Sequence, residues 1–279
     1  MRRTRMSRPR GISSRLSALF VFVLIALVLM GAGYLVGRFV LSSILSRSSG
    51  APVSGLPGEN KGGSSEIVTA TVSLNAFTVY RIQVGAFSSK DNAEKLAQAF
   101  LSQGVPACVM APDPLYKVYC GVLMSRQAAD KMVESVMSKV SGTVIPAEDK
   151  PYVGTLEIPA VRFEVQGDKK YVSALDAAVK KAGPALQTLL GFWDSYYLKN
   201  APVDVRPAAT DVASALDALK SVQPPENFKD THSACVAALE SLSKALSSAA
   251  AVYGGDASRG PEAMTESIKI VDILAGLGK

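Results

Sequence analysis

Few residues of this chain are arranged for covalent chemistry. The one histidine, His232, shares a helical stripe with Phe228 and Cys235, which is the setting of a packed core residue rather than of a base. No GxSxG or HExxH motif accompanies it. Asp194 and Glu240 are carboxylates that a fold can bring together, yet each also fits a solvated helix face. Cys108, Cys120 and Cys235 make an odd count without a CxxC or Cys/His cluster, so they read as buried thiols rather than as a disulfide framework or metal ligands. Lys61-Gly62-Gly63-Ser64 lacks the spacing of a phosphate loop and lies in a polar tether. No cofactor, metal or catalytic residue is called for. What remains is a set suited to holding a ligand: Arg81 and Gln83 on one alternating segment, Lys117 and Tyr119 on another.

Two similar halves position those residues. In Thr78 to Phe87, Tyr80, Ile82 and Val84 alternate with Val79, Arg81 and Gln83, as a half-buried strand requires. A turn, FSSKDN, leads to a helix that Ser89 or Asp91 can cap, with Ala93, Leu96, Ala97, Phe100 and Leu101 along one face. Gly104 stops it, and Val105 to Met110 follow as a strand. The second half repeats the plan. Leu115 to Val122 is a strand with Tyr116, Val118 and Cys120 facing one way; Ser125 opens a helix carrying Ala128, Ala129, Met132, Val133 and Val136; Val144-Ile145 supplies a last strand. The order β-α-β-β-α-β predicts a four-stranded antiparallel sheet with both helices on one face and the other face open. Arg81, Gln83, Lys117 and Tyr119 then point to the open face.

The segments YRIQVGAFSSKDNAEKLAQAFLSQGVPACV and LYKVYCGVLMSRQAADKMV resemble a SPOR (sporulation-related repeat) domain, over residues 75–148. The matching pattern is Gln-x-Gly-Ser/Ala-Phe, a turn to Asn-Ala and an apolar helix, then Tyr-Arg-Val-x-Val-Gly and a helix with paired alanines. The resemblance implies binding, without catalysis, to glycan strands of peptidoglycan denuded of stem peptides, which are enriched where cells divide or build a spore septum. It points to Gln83 first, then Arg81, Lys117 and Tyr119, with Ser88, Ser89 and Asn92 on the bordering turn. Lys117 stands where the family often has arginine, and Ala86 where many members have serine. The same plan occurs in RNA-recognition domains, but no RNP-like aromatic set is present, so nucleic acid is not an expected partner.

The flanking sequence sets the context. The chain has 279 residues and a net charge of +6, but Arg2, Arg3, Arg5, Arg8, Arg10 and Arg15 carry that excess, and the remainder is balanced. Residues 1–15 read as a cytoplasmic basic tail. Within 16–40, Ala18 to Val36 is an uncharged apolar run, long enough for a bilayer core of about 30 Å. A basic flank keeps the N-terminus inside, so the chain is expected to be a single-pass protein of the cytoplasmic membrane with its domains outside. The run is longer than a signal-peptide core and no Ala-x-Ala site follows closely. Gly33 and Gly37 form a GxxxG pair suited to close helix approach. Residues 41–74, rich in Ser, Gly and Pro, read as a flexible linker. Residues 149–170 form a connector with a short strand at Val161 to Val165. Residues 171–279 read as an antiparallel bundle of three or four helices, the first bent or restarted at Gly183-Pro184. Trp193, Tyr196 and Tyr197 suit core packing, or the anchoring of a partner.

The fold class expected is therefore α+β: one transmembrane helix, the SPOR-like domain, then a helical bundle. The function expected is that of a membrane-anchored, extracytoplasmic binder of denuded glycan strands, in division or sporulation-related wall remodelling. The alternative is a wall-remodelling enzyme or an adaptor whose bundle acts or recruits division or sporulation proteins, with the smaller domain as its targeting module.

Overall fold

The computed structural model describes residues 66–276 apart from 112, 113 and 147. The basic tail, the apolar run and most of the linker lie outside the described residues. The described residues form one compact unit.

The alternating segments fold as read. Strand β2 (Phe77–Phe87) pairs antiparallel with β4 (Tyr116–Leu123), and β3 (Cys108–Met110) pairs with the other side of β4. Helix α1 (Lys90–Ser102) follows β2 and helix α2 (Arg126–Val140) follows β4, both against the same sheet. Ser125 caps α2 by accepting from the Ala128 N–H at 3.2 Å, whereas Ser89 occupies the cap of α1 without a side-chain bond. Gly104 ends α1 at φ 65°, a conformation that favours glycine, and Val105 N–H bonds back to Phe100 O at 3.1 Å.

The two motif glycines are there for space. A Cβ on Gly85 would lie 2.7 Å from Phe87 Cε2 and 2.9 Å from Leu96 Cδ2; one on Gly121 would meet Met132 Sδ, with Met132 Cε at 2.7 Å and Ile82 Cδ1 at 3.1 Å. Side chains of α1 and α2 thus rest directly on the strand backbone. Ile82 is fully buried under this layer. Ile82→Ala is expected to cost about 2–5 kcal/mol through the cavity it leaves, read as a shift in urea midpoint with unchanged slope.

The last strand is not Val144-Ile145. That stretch turns after α2, with Gly142 at φ 71° and a single bridge from Ser141 to Ile145. The sheet is completed by β5 (Tyr152–Ile158), which pairs antiparallel with β2 and gives the order β3-β4-β2-β5. The end of the expected linker is also a strand. β1 (Ile67–Leu74) pairs antiparallel with β6 (Val161–Asp168), the latter extending the short strand expected at 161–165. Leu74 faces Val161 and Phe77 faces Ile158, so the register does not slip between the two pairs. The ribbon prolongs β2 and β5 beyond the sheet.

Four helices follow: α3 (Lys169–Leu198), α4 (Arg206–Lys220), α5 (Lys229–Tyr253) and α6 (Gly260–Gly276). Pro184 neither stops nor restarts α3, which runs through it. Asp168 caps α3 at the Lys170 N–H, 2.8 Å, and Lys199 closes it in the left-handed region at φ 57°. Trp193 is 1% exposed, so the aromatic cluster of α3 is core, with only Tyr196 half out. The stretch Glu226–Tyr253 is long and apolar enough to cross a membrane. Leu239, Leu242, Ala245, Leu246 and Ala249 on it are nevertheless buried among the other helices. The result is a mixed α/β unit, a sheet domain followed by helices.

The sheet's second face is not open. Helix α6 lies across β3, β4 and β5 on the side away from α1 and α2. Val79 and Tyr119, expected on a solvent-facing side, are 0% and 5% exposed. The reason lies in composition: Met264, Ile268 and Val271 give α6 an apolar face that must be covered, and the sheet's free side is what it meets.

Candidate functional site

Where α6 ends, a groove of about 670 Å³ remains between it and the sheet. Its polar lining is Thr78, Arg81, Lys117, Tyr119, Glu157 and Asp272. Three of the expected ligand-binding residues therefore come together, from two adjacent strands. Arg81 is at the centre. Its guanidinium carbon lies 4.5 Å from the Tyr119 ring centroid, and Nη1 reaches Asp272 Oδ1 at 3.4 Å. Stacked on one side and paired on the other, the planar group keeps further N–H donors for a ligand. Its side chain is 20% exposed, so access is partial.

Burial raises the Tyr119 phenol above its ordinary value, with Arg81 opposing and Asp272 adding to the rise. The ring is neutral at physiological pH and serves as an aromatic floor. Beside it on β3, burial lifts the Cys108 thiol to about 11, so it stays protonated and unreactive.

Gln83 pairs with Tyr119 through an irregularity in which the β2–β4 register shifts on both sides of Gln83, and it is half-buried outside the groove lining. Ser88, Ser89 and Asn92 sit at the β2–α1 turn and do not line the groove. Sequence reading missed Asp272 and Glu157. Their elements were legible as a helix and a connector, but nothing local tells that residue 272 returns to strand β2.

The two halves of α6 are held differently. Glu262 and Glu266 both meet Lys244 of α5, at 3.3 and 3.1 Å, and Trp193 Nε1 donates to Ser267 Oγ at 3.3 Å. Burial works to raise the Glu266 carboxyl, but hydrogen bonds from Lys269 and Lys244 outweigh it and bring it below its usual value. Toward the C-terminal end, the Arg81–Asp272 pair is the polar side-chain tie to the sheet among the described residues. On the opposite side of that end lies an apolar cavity of about 620 Å³, bordered by Ile270, Ile273 and Leu274.

The groups considered for catalysis stay apart from this groove. His232 Nδ1 and Tyr171 Oη are buried without hydrogen-bond partners, their rings 5.8 Å apart. Burial raises the Cys235 thiol. Asp194 accepts from the Met124 N–H at 3.0 Å, a structural tie between α3 and the end of β4; burial raises its carboxyl against the hydrogen bonds of Ser125 and Met124. All three cysteines are free thiols.

Arg81, Lys117 and Tyr119 thus form a cationic and aromatic groove on the face of a β-α-β-β-α-β sheet away from its two helices. Residues 76–146 match the SPOR domain family, so this part of the chain is a SPOR domain. SPOR domains bind peptidoglycan, generally in cell division, and are not catalytic. No curated protein and no solved structure matches the chain.

Proposed function

We propose that this protein is anchored in the cytoplasmic membrane by residues 16–40 and holds denuded glycan strands outside it, at sites of division or sporulation-related wall remodelling. The observation that carries the reading is the convergence of Arg81, Lys117 and Tyr119 in one groove of the SPOR sheet. Its chemistry fits the distinguishing feature of a denuded strand. Cleaving the stem peptide from muramic acid leaves a free carboxylate on the lactyl ether, one per disaccharide. A guanidinium with spare donors, joined by the Lys117 ammonium, recognises that new anion. Tyr119 and the apolar lining take up the carbon-rich ring faces. Helices α3 to α6 act as a module for division or sporulation proteins, and α6 additionally walls the groove.

The test is sedimentation of residues 63–279 with cell-wall sacculi before and after amidase treatment. Strong pelleting only after treatment is expected; equal pelleting with untreated sacculi would remove the carboxylate from the account.

Asp272 competes with the ligand for Arg81. An exposed ion pair is worth about 0–1 kcal/mol, so Asp272→Ala is expected to tighten binding to treated sacculi by up to about fivefold. A weaker-binding Asp272→Ala would show that the carboxylate positions Arg81 rather than occupying it.

A further inference from the structure

We propose that Tyr152 is a second contact surface for the glycan: it stacks on the uncharged N-acetyl amino sugar next to the one whose carboxylate Arg81 holds. The inference rests on the glycan-binding reading above and extends its site onto β5.

Residues directly opposite each other in an antiparallel pair project to the same face. Gly154 is opposite Arg81 and Tyr152 is opposite Gln83, without a register shift between β2 and β5. Tyr152 therefore stands on the face that carries Arg81, one step further along the sheet, about 7 Å away along the strand. Its ring folds back over Gly154: a Cβ there would lie 2.9 Å from Tyr152 Cε1 and 3.8 Å from Cζ. Because residue 154 has no side chain, nothing of its own rises between the ring and the guanidinium. The ring thus shares a face with Arg81 but lies outside the groove lining, beyond Gly154 and opposite Gln83.

Tyr152 is 69% exposed, the highest value among the exposed large hydrophobic side chains of the described residues. An aromatic ring left in water on a ligand-bearing face is the side chain that pyranose rings use, since their C–H-rich faces lie against a π surface while the phenol reaches an acetamido group. A glycan alternates a carboxylate-bearing sugar with an uncharged one. The protein offers the same alternation, a cation at Arg81 and a neutral aromatic at Tyr152. Tyr152 lies beyond the residues matched to the SPOR family, 76–146.

A purely structural role is the competing explanation, in which the ring shields the Gly154 backbone. Three substitutions separate them in the full chain, held in detergent and sedimented with amidase-treated sacculi. Tyr152→Phe keeps the π face and is expected to bind within about twofold of the parent. Tyr152→Ala and Tyr152→Leu are expected to lose about tenfold, the equivalent of one good contact. Leucine still covers Gly154, so a Tyr152→Leu chain that binds like the parent overturns the proposal and assigns the ring to backbone cover. Parent-like binding by Tyr152→Ala overturns it as well, and if Arg81→Ala is weakened in the same series the glycan reading itself survives. Should the parent fail to pellet with treated sacculi, the glycan reading falls first and this inference with it.

Discussion

Arg81→Ala is expected to weaken binding to amidase-treated peptidoglycan about ten- to a hundredfold while leaving the protein folded. The binding term is large because a guanidinium bond to a carboxylate is charge-assisted, worth about 1.5–3 kcal/mol. The folding term is modest: the ion pair lost, to Asp272 at 3.4 Å, involves a carboxylate 44% exposed, and the stacking on Tyr119 lost with it is worth about 0.5–2 kcal/mol. Salt should separate the two contributions further. Parent binding should fall as ionic strength rises, and binding of the substituted protein should respond much less. A sedimentation titration at two salt concentrations, with the thermal midpoint measured alongside, checks both halves. If Arg81→Ala binds like the parent, recognition does not run through the lactyl carboxylate.

Trp193→Ala carries the largest expected loss of stability, about 3–5 kcal/mol. The indole is 1% exposed, packs edge-on to Phe192 with centroids 4.9 Å apart, and donates from Nε1 to Ser267 Oγ at 3.3 Å. Ser267 is itself fully buried and donates to Ala263 O at 2.8 Å, so the indole fastens α3 to the anchored half of α6. Removing it leaves a large cavity and loosens the helix that walls the groove. Urea denaturation of Trp193→Ala against the parent reads the effect. A loss below about 1 kcal/mol would mean that α6 is held on the sheet by something other than this contact.

The SPOR part of the fold was legible because its signals are local. Alternation in β2 and β4, the stripes of α1 and α2, and the glycines at 85 and 121 each report on neighbours within a few residues or across one turn. Arg81, Lys117 and Tyr119 were found in that way, as polar or aromatic positions on paired strands. What failed depended on distant partners. Ile67–Leu74 has a strand's alternation, but its Ser/Gly/Pro-rich surroundings read as tether, and its partner Val161–Asp168 lies some ninety positions on. β5 is poorly legible because Pro151, Gly154 and Glu157 dilute its pattern, while the β-branched Val144-Ile145 nearby has the stronger strand character. The covered face was the costliest omission. The apolar stripe of α6 declares that the helix is buried on one side, but not that the surface it meets is the far face of the SPOR sheet. Asp272 depends on that packing, and Tyr152 on the pairing of β5 with β2.

The central claim is that glycan binds on the α6 side of the sheet, from Lys117 and Arg81 toward Tyr152, and the most direct test is a chemical-shift titration of residues 63–279 with soluble denuded glycan strands. The account predicts concentration-dependent shifts in the backbone amides of Arg81, Gln83, Lys117, Tyr119 and Tyr152, with Asp272 and Ala275 of α6 following, and little change along the outer faces of α1 and α2. Shifts confined to α3, α4 and α5, or none at concentrations where the protein pellets with treated sacculi, would contradict it.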